Sequence, residues 1–226
     1  DRDGLRCEDE LRRIGYLGEE ANRPGPAAAY LELHIEQGPV LDAAHLPVGV
    51  VEGVVGMTWS RVTVTGHANH VGTTPMALRK DALAATAVII AGVEQLGRET
   101  PGAVATVGRI TADPNLNGVI PGRVVCNVDF CHRDASTLDA LVDRLRGLAA
   151  ETAAERSVEV TVERFWLSEP APFAPEMIAV VQEACTEAGV ASMRLWSGAG
   201  HDAMYTQKVC PTGMIFVRSA GGLSHC

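Results

Sequence analysis

Residues 57–65 read MTWSRVTVT, and what that run becomes decides the fold. Apolar and polar residues alternate with period two and β-branched residues are frequent, so the run reads as a strand with one face turned inward. The pattern then changes period. Over 80–98, Leu83, Ala87 and Ile90 fall on one face of a helix. Residues 102–110 read as a strand. Residues 123–132 alternate again, with Val124, Cys126, Val128 and Phe130 on the apolar face. A second helix is expected over 136–155, with Leu138, Leu141, Val142, Leu145 and Leu148 on its stripe. A Ser-x-x-Asp capping signal, Ser136 to Asp139, marks its start. Val158, Val160 and Val162 then alternate with charged residues in a last strand. The order β-α-β-β-α-β is the split βαβ, or ferredoxin-like, arrangement. Both helices cover one sheet face, which leaves the other to solvent or a partner.

The flanks have a different texture. Residues 1–18 predict a short helix carrying Leu11 and Ile14, and residues 19–29 form a loop. A strand opens at Tyr30 with YLELHI, followed by GPVLDAAHLPVG. Beyond Trp166, Pro175 suits the first turn of a helix and Gly189 the position past its end. Met177, Val181, Ala184 and Ala188 form its stripe. A short strand over 192–196, the loop SGAGHDA and the strand TGMIFV complete the chain. The fold class is therefore α/β. A core made of residues 1–49 and 168–226 is interrupted by a ferredoxin-like α+β insertion over 50–167.

Composition narrows the function. The 226 residues carry a net charge of −9 and a pI near 5.2, which argues against nucleic acid and anionic membrane as partners. The longest apolar stretch, ALAATAVIIAGV, is too short to span a bilayer. No secretory leader is visible, and the six cysteines form no C-x-x-C pair. Free thiols and a cytoplasmic location are the expectation.

The chemistry-bearing residues are scattered. His34 lies with Glu32 and Glu36 in an apolar strand. His70 (GHANHVG), His201 (GAGHDA) and His225 (GGLSHC) sit among glycines and polar residues. A lone histidine is usually structural, but four in such settings favour a site. No H-E-x-x-H pair, G-x-S-x-G elbow or phosphate-binding glycine fingerprint is present. Spacing alone supports a carboxylate cradle and a plain turn equally at SGAGHD.

The ordered set LELHIEQGPVL, GHANHVGTTPM with LRKDAL, IPGRV, SGAGHDA and GMIFV with GGLSH resembles the N-carbamoyl-L-amino-acid hydrolase, allantoate amidohydrolase and β-ureidopropionase group. That group consists of dinuclear-metal amidases of the aminoacylase and peptidase clan. The resemblance covers nearly the whole chain. It implies hydrolysis of a linear ureido or amide C–N bond with two divalent ions, zinc, manganese, cobalt or nickel. It implies metal ligands at His34 and His225, and substrate contacts at Gln37, Asn117, Gly198, Ala199 and Gly200. His70 would be the catalytic oxyanion donor, carried on a lid through which the protein forms a homodimer.

Departures from the family pattern matter as much. The family's His-x-Asp pair, bridging aspartate and Glu-Glu pair are not found in these residues, so weak metal binding and no detectable hydrolysis by this chain alone are expected. Gly118 stands where an asparagine is usual. Cys131 stands where an arginine grips the substrate carboxylate. The alternatives are an inert family relative serving as a dimerisation module, or an aminoacylase or peptidase of the same clan.

Overall fold

The computed structural model describes residues 4–22 and 25–223. In chain order the elements are α1 (Cys7–Arg13), β1 (Tyr30–Ile35), α2 (Val40–Ala43), β2 (Val48–Val54), β3 (Gly56–Thr65), β4 (Asn69–His70), α3 (Ala82–Glu99), β5 (Val104–Asp113), β6 (Val119–Ile120), β7 (Arg123–His132), α4 (Ala135–Arg156), β8 (Glu159–Ser168), β9 (Ala171–Pro172), α5 (Pro175–Glu187), β10 (Ser192–Ser197), α6 (Ala203–Thr206) and β11 (Thr212–Val217).

They build two principal sheets. The first runs β1-β11-β2-β10, with β9 paired to β2. It is mixed: β1 with β11 and β10 with β2 are parallel, while β11 with β2 is antiparallel. Both faces of its centre are covered. Val50 meets Val181 and Cys185 of α5 on one side, while Val51, Met214 and Phe216 pack with Leu41 and Phe173 on the other. Double burial explains why TGMIFV is an unbroken apolar run.

The second sheet runs β5-β7-β3-β8, antiparallel throughout. Helices α3 and α4 cover one face. Val62, Val64, Val124, Val128 and Phe130 from the strands pack with Ile89, Val93, Leu138 and Leu145 from the helices. Strand β2 pairs within the first sheet, so the chain crosses to the second at Gly56, and the expected boundary at residue 50 falls inside β2. Gly53 lets β9 and the Trp196 ring pack closely on β2. A Cβ there would lie 2.7 Å from the Ala171 carbonyl and 2.8 Å from the Trp196 ring.

Three local expectations change. Strand β8 extends to Ser168, well past Val162. Helix α1 buries no residue, and Ile14 lies beyond its end at 51% exposure. Ion pairs Arg12–Glu8 and Arg13–Glu10 decorate it instead. Helix α4 is capped not by Ser136 but by Asp134, whose carboxylate accepts from the backbone N–H groups of Ser136 and Thr137 and from both hydroxyls. Asp139 pairs with Arg164 at 2.7 Å.

The hydroxyls of Thr137 and Ser136 hold the Asp134 carboxyl down to about 2, from 3.8. A depressed carboxylate contributes stability that is complete above the unfolded value and disappears as pH falls through the folded one. Asp134→Ala should therefore lower the thermal midpoint at neutral pH. The gap between variant and parent should close as pH falls from 3.8 towards about 2, as read by circular dichroism.

Candidate active-site cleft

Strand β1 inverts the usual burial rule. Leu31, Leu33 and Ile35 are 53, 67 and 48% exposed, while Tyr30, Glu32 and His34 occupy the half-buried face. That polar face meets the loop after β10. His201 is buried there, its ring 4.6 Å from that of His34 and 5.6 Å from that of Phe216.

Polar partners hold His201 in place. Ser197 Oγ lies 2.8 Å from its Nε2, and Glu32 Oε1 lies 3.6 Å from its Nδ1. The other Glu32 oxygen accepts from the Ala203 N–H at 2.9 Å, at the start of α6, and from the Tyr30 hydroxyl at 3.2 Å. Burial first, then the neighbouring His34, lowers the His201 pKa, against the pull of Glu32 and Asp202. Burial and Glu32 raise that of Tyr30. The series serine, histidine, carboxylate has the look of a hydrolytic triad. Ser197 is fully buried, however, and its hydroxyl accepts from the Ala199 N–H at 3.1 Å, closing its own loop. The three residues brace the loop against β1.

His34 is fixed differently. Its Nδ1 lies 2.8 Å from the carbonyl oxygen of Ile35. A carbonyl can only accept, so in the neutral ring Nδ1 carries the hydrogen and Nε2 keeps the lone pair. A neutral imidazole held this way suits a divalent transition metal. Among the described residues no cluster of three or more His, Cys, Asp or Glu surrounds a metal position. The lone pair of His34 is the donor chemistry the described residues offer at this place. His225, the second expected ligand, lies outside the described residues.

Just past β1 the chain turns sharply. Gln37 adopts φ 59°, a left-handed conformation uncommon for a side-chain-bearing residue. Its N–H donates to Ser219 Oγ at 3.0 Å. Glu36 is buried and accepts from the N–H groups of Val40 and Leu41 at the start of α2, at 2.7 and 2.8 Å. This answers why an apolar strand and its exit carry acids. Glu32 and Glu36 satisfy helix-start N–H groups, a structural duty.

A cleft of about 760 Å³ opens here between the two sheet layers. The first layer contributes Gln37, Trp196, Gly198 and Ala199. The second contributes Val104 and Cys131. Gly200 sits in the same loop, beside the Met204 sulfur. Cys131 stands on the cleft wall. Its thiol is pushed up to about 12 by burial and by Asp129, to which it donates at 3.6 Å. It is a neutral wall residue.

His70 and Asn117 are placed together, but away from the cleft lining. Strands β4 and β6 form a separate ribbon in which His70 faces Val119 and Asn69 faces Ile120. The Val71 N–H donates to the Gly118 carbonyl at 2.9 Å. Gly118 has φ 80°, a geometry that glycine takes without strain and asparagine better than most residues. His70 Nδ1 accepts from the Gly72 N–H at 3.0 Å, so in the neutral ring the hydrogen sits on Nε2. His34 and His70 thus hold opposite tautomers, one offering a lone pair and the other a donor.

The sequence singled out His201 as one of four unusual histidines but assigned it no partner. Ser197, Ser219 and Trp196 were missed. Nothing in local spacing links them to β1, because sheet pairing and a tight loop make those contacts.

Comparison with known proteins adds the family. The model of "Peptidase family M20/M25/M40" matches residues 10–226. An N-carbamoyl-L-amino acid amidohydrolase of Geobacillus stearothermophilus is 39% identical over 229 residues, covering 100% of this chain and 56% of that protein. An allantoate amidohydrolase of Escherichia coli K12 is 35% identical over 198 residues, covering 87% and 48%. The crystal structure of an amidase of the hydantoinase/carbamoylase family from Burkholderia multivorans superimposes with a TM-score of 0.92 at 40% identity, over 100% of this chain and 55% of that one. The chain spans about half the length of the curated relatives it matches.

Proposed function

The chain belongs to peptidase family M20/M25/M40, and from that membership we propose that it serves an amidohydrolase cleaving the C–N bond of a linear ureido or amide substrate, such as an N-carbamoyl amino acid or allantoate. The observation that carries this reading is the cleft between the layers, where Gln37 and the Gly198–Ala199 loop face the Val104 and Cys131 wall; His34 stands in register with Phe216, a residue of that lining.

The residue roles in this reading are those the family resemblance implies, and the geometry is what supports them. Gln37, locked by its turn, and the loop braced by Ser197 orient the substrate. His34 Nε2 would serve as one donor to a divalent ion, which when bound would supply Lewis-acid activation of the carbonyl and of water. Water adds its oxygen to the carbonyl carbon, and a proton goes to the departing nitrogen. His70 Nε2–H suits the charge that collects on the carbonyl oxygen. Its ribbon lies outside the cleft lining, so it reaches the substrate by closure of the second layer or from a second copy of the chain. Self-association through the second layer belongs to the same proposal. Edge strand β5 leaves Ile110 48% exposed for it.

The test is ammonia release from N-carbamoyl-L-amino acids and allantoate, with a divalent cation, by the protein carrying these residues. Gln37→Ala and His70→Ala should each lower kcat/KM by roughly 100-fold or more, the scale of losing one transition-state donor. Hydrolysis of neither substrate class, or full activity in both variants, would contradict the assignment.

A further inference from the structure

The open face of the second sheet carries a feature that hydrolysis in the cleft does not use. Arg61 on β3, Asn127 on β7 and Arg109 on β5 stand side by side, since Asn127 is in register with both arginines. Registered residues of an antiparallel pair share a sheet face. Arg123 lies two alternations along β7 on that same face. Together with Thr111 these residues line a concavity of about 310 Å³.

Charge makes the cluster unusual. The chain is acidic overall, at −9, yet three guanidinium groups gather here. Arg61 is already oriented. Its NH1 lies 3.0 Å from Glu163 Oε2, and its guanidinium carbon lies 5.1 Å from the centroid of the Phe165 ring. Asp113 stands in register with Arg123. Even so, among the described residues no carboxylate lies within ion-pair distance of Arg109 or Arg123. Like charges brought together without counter-charge repel, and a bound anion removes that cost. Planar guanidinium forks with an amide between them match the oxygens of phosphate or carboxylate groups.

We propose that Arg61, Arg109, Arg123 and Asn127 form an oxyanion-binding site on the open face of the second sheet, taking a small ligand that bears a phosphate or two carboxylates. The modest size of the concavity favours a small molecule over a polymer. The site is separate from the cleft and independent of the hydrolytic reading.

A spectroscopic reporter is built in. Trp59 stacks on Trp166 with ring centroids 4.4 Å apart, and Phe165 lies 6.2 Å from Trp59 and under Arg61. Inorganic phosphate and succinate would each be titrated in, at ionic strength held constant with potassium chloride, while tryptophan fluorescence and heat of binding are followed. Saturable binding of one or both is expected, and which of them binds separates the phosphate source from the dicarboxylate source. The double variant R109Q/R123Q should raise Kd by roughly tenfold or more, the scale of lost charge-assisted hydrogen bonds. Arg61, Arg109 and Arg123 are exposed, so folding should be unchanged by circular dichroism. A response matched by chloride alone, equal binding by R109Q/R123Q, or a dimer that dissolves in salt without phosphate or succinate binding would overturn the proposal.

Discussion

Phe130→Ala is expected to lower the free energy of unfolding by about 3–5 kcal/mol, the range for truncating a buried aromatic side chain. Phe130 is fully buried on β7 and belongs to the cluster that joins the second sheet to α3 and α4. Its strand neighbours in register are Thr58 and Ala105, the first small and fully buried and the second packed against the same cluster. Neither can expand to fill the space left. The cavity therefore persists, and its cost adds to the lost transfer energy. The next residue is Cys131, a wall of the cleft, so the effect should extend to ligand binding. Urea denaturation measures it directly. Phe165→Ala is the control, because that ring is 38% exposed on the open face and should cost far less. Equal losses at the two positions would mean that the helices do not pack on the sheet as described.

His34→Ala should cost little stability, because the side chain is only half-buried, but it should weaken binding of Co²⁺ or Mn²⁺ severely. The expected loss exceeds the roughly 10–100-fold seen when only an outer partner of a metal ligand is removed. The reason is the direction of the lone pair. With Nδ1–H committed to the Ile35 carbonyl, Nε2 is the one nitrogen left to donate. His201 cannot substitute, because both of its nitrogens already face Ser197 and Glu32. Calorimetric titration of the parent and the variant decides the matter. Unchanged affinity in His34→Ala would remove this residue from the metal site.

Much of this was legible in the sequence because periodicity reports burial. Val124, Cys126, Val128 and Phe130 alternate, and all four are buried. Pro175 opens α5, and Gly189 stands just past its end with φ 65°. The failures have physical causes too. Ser136 and Asp139 carry the right spacing for a capping box, but Asp134 caps the N–H groups of Ser136 and Thr137, so the helix begins one residue earlier. In β1 the apolar residues face outward, and Glu32 and His34 face the first-layer loop. Alternation shows two faces but does not say which one is covered. Glu32, His201 and Ser197 are distant in sequence, and only the first sheet brings β1 and the loop after β10 together. Cys131 was readable as a cleft residue because it alternates with Asn127 and Asp129. Its neutrality came from burial, which no sequence pattern displays.

The most direct measurement is the imidazole nitrogen NMR spectrum of the ¹⁵N-labelled protein, first without metal and then during titration with Co²⁺. Metal-free His34 should show its hydrogen on Nδ1, and on titration its ring signals should shift and broaden first and saturably. A hydrogen on Nε2, or a His34 ring untouched while His45 or His132 responds, would contradict the assignment of His34 as the metal donor of this cleft.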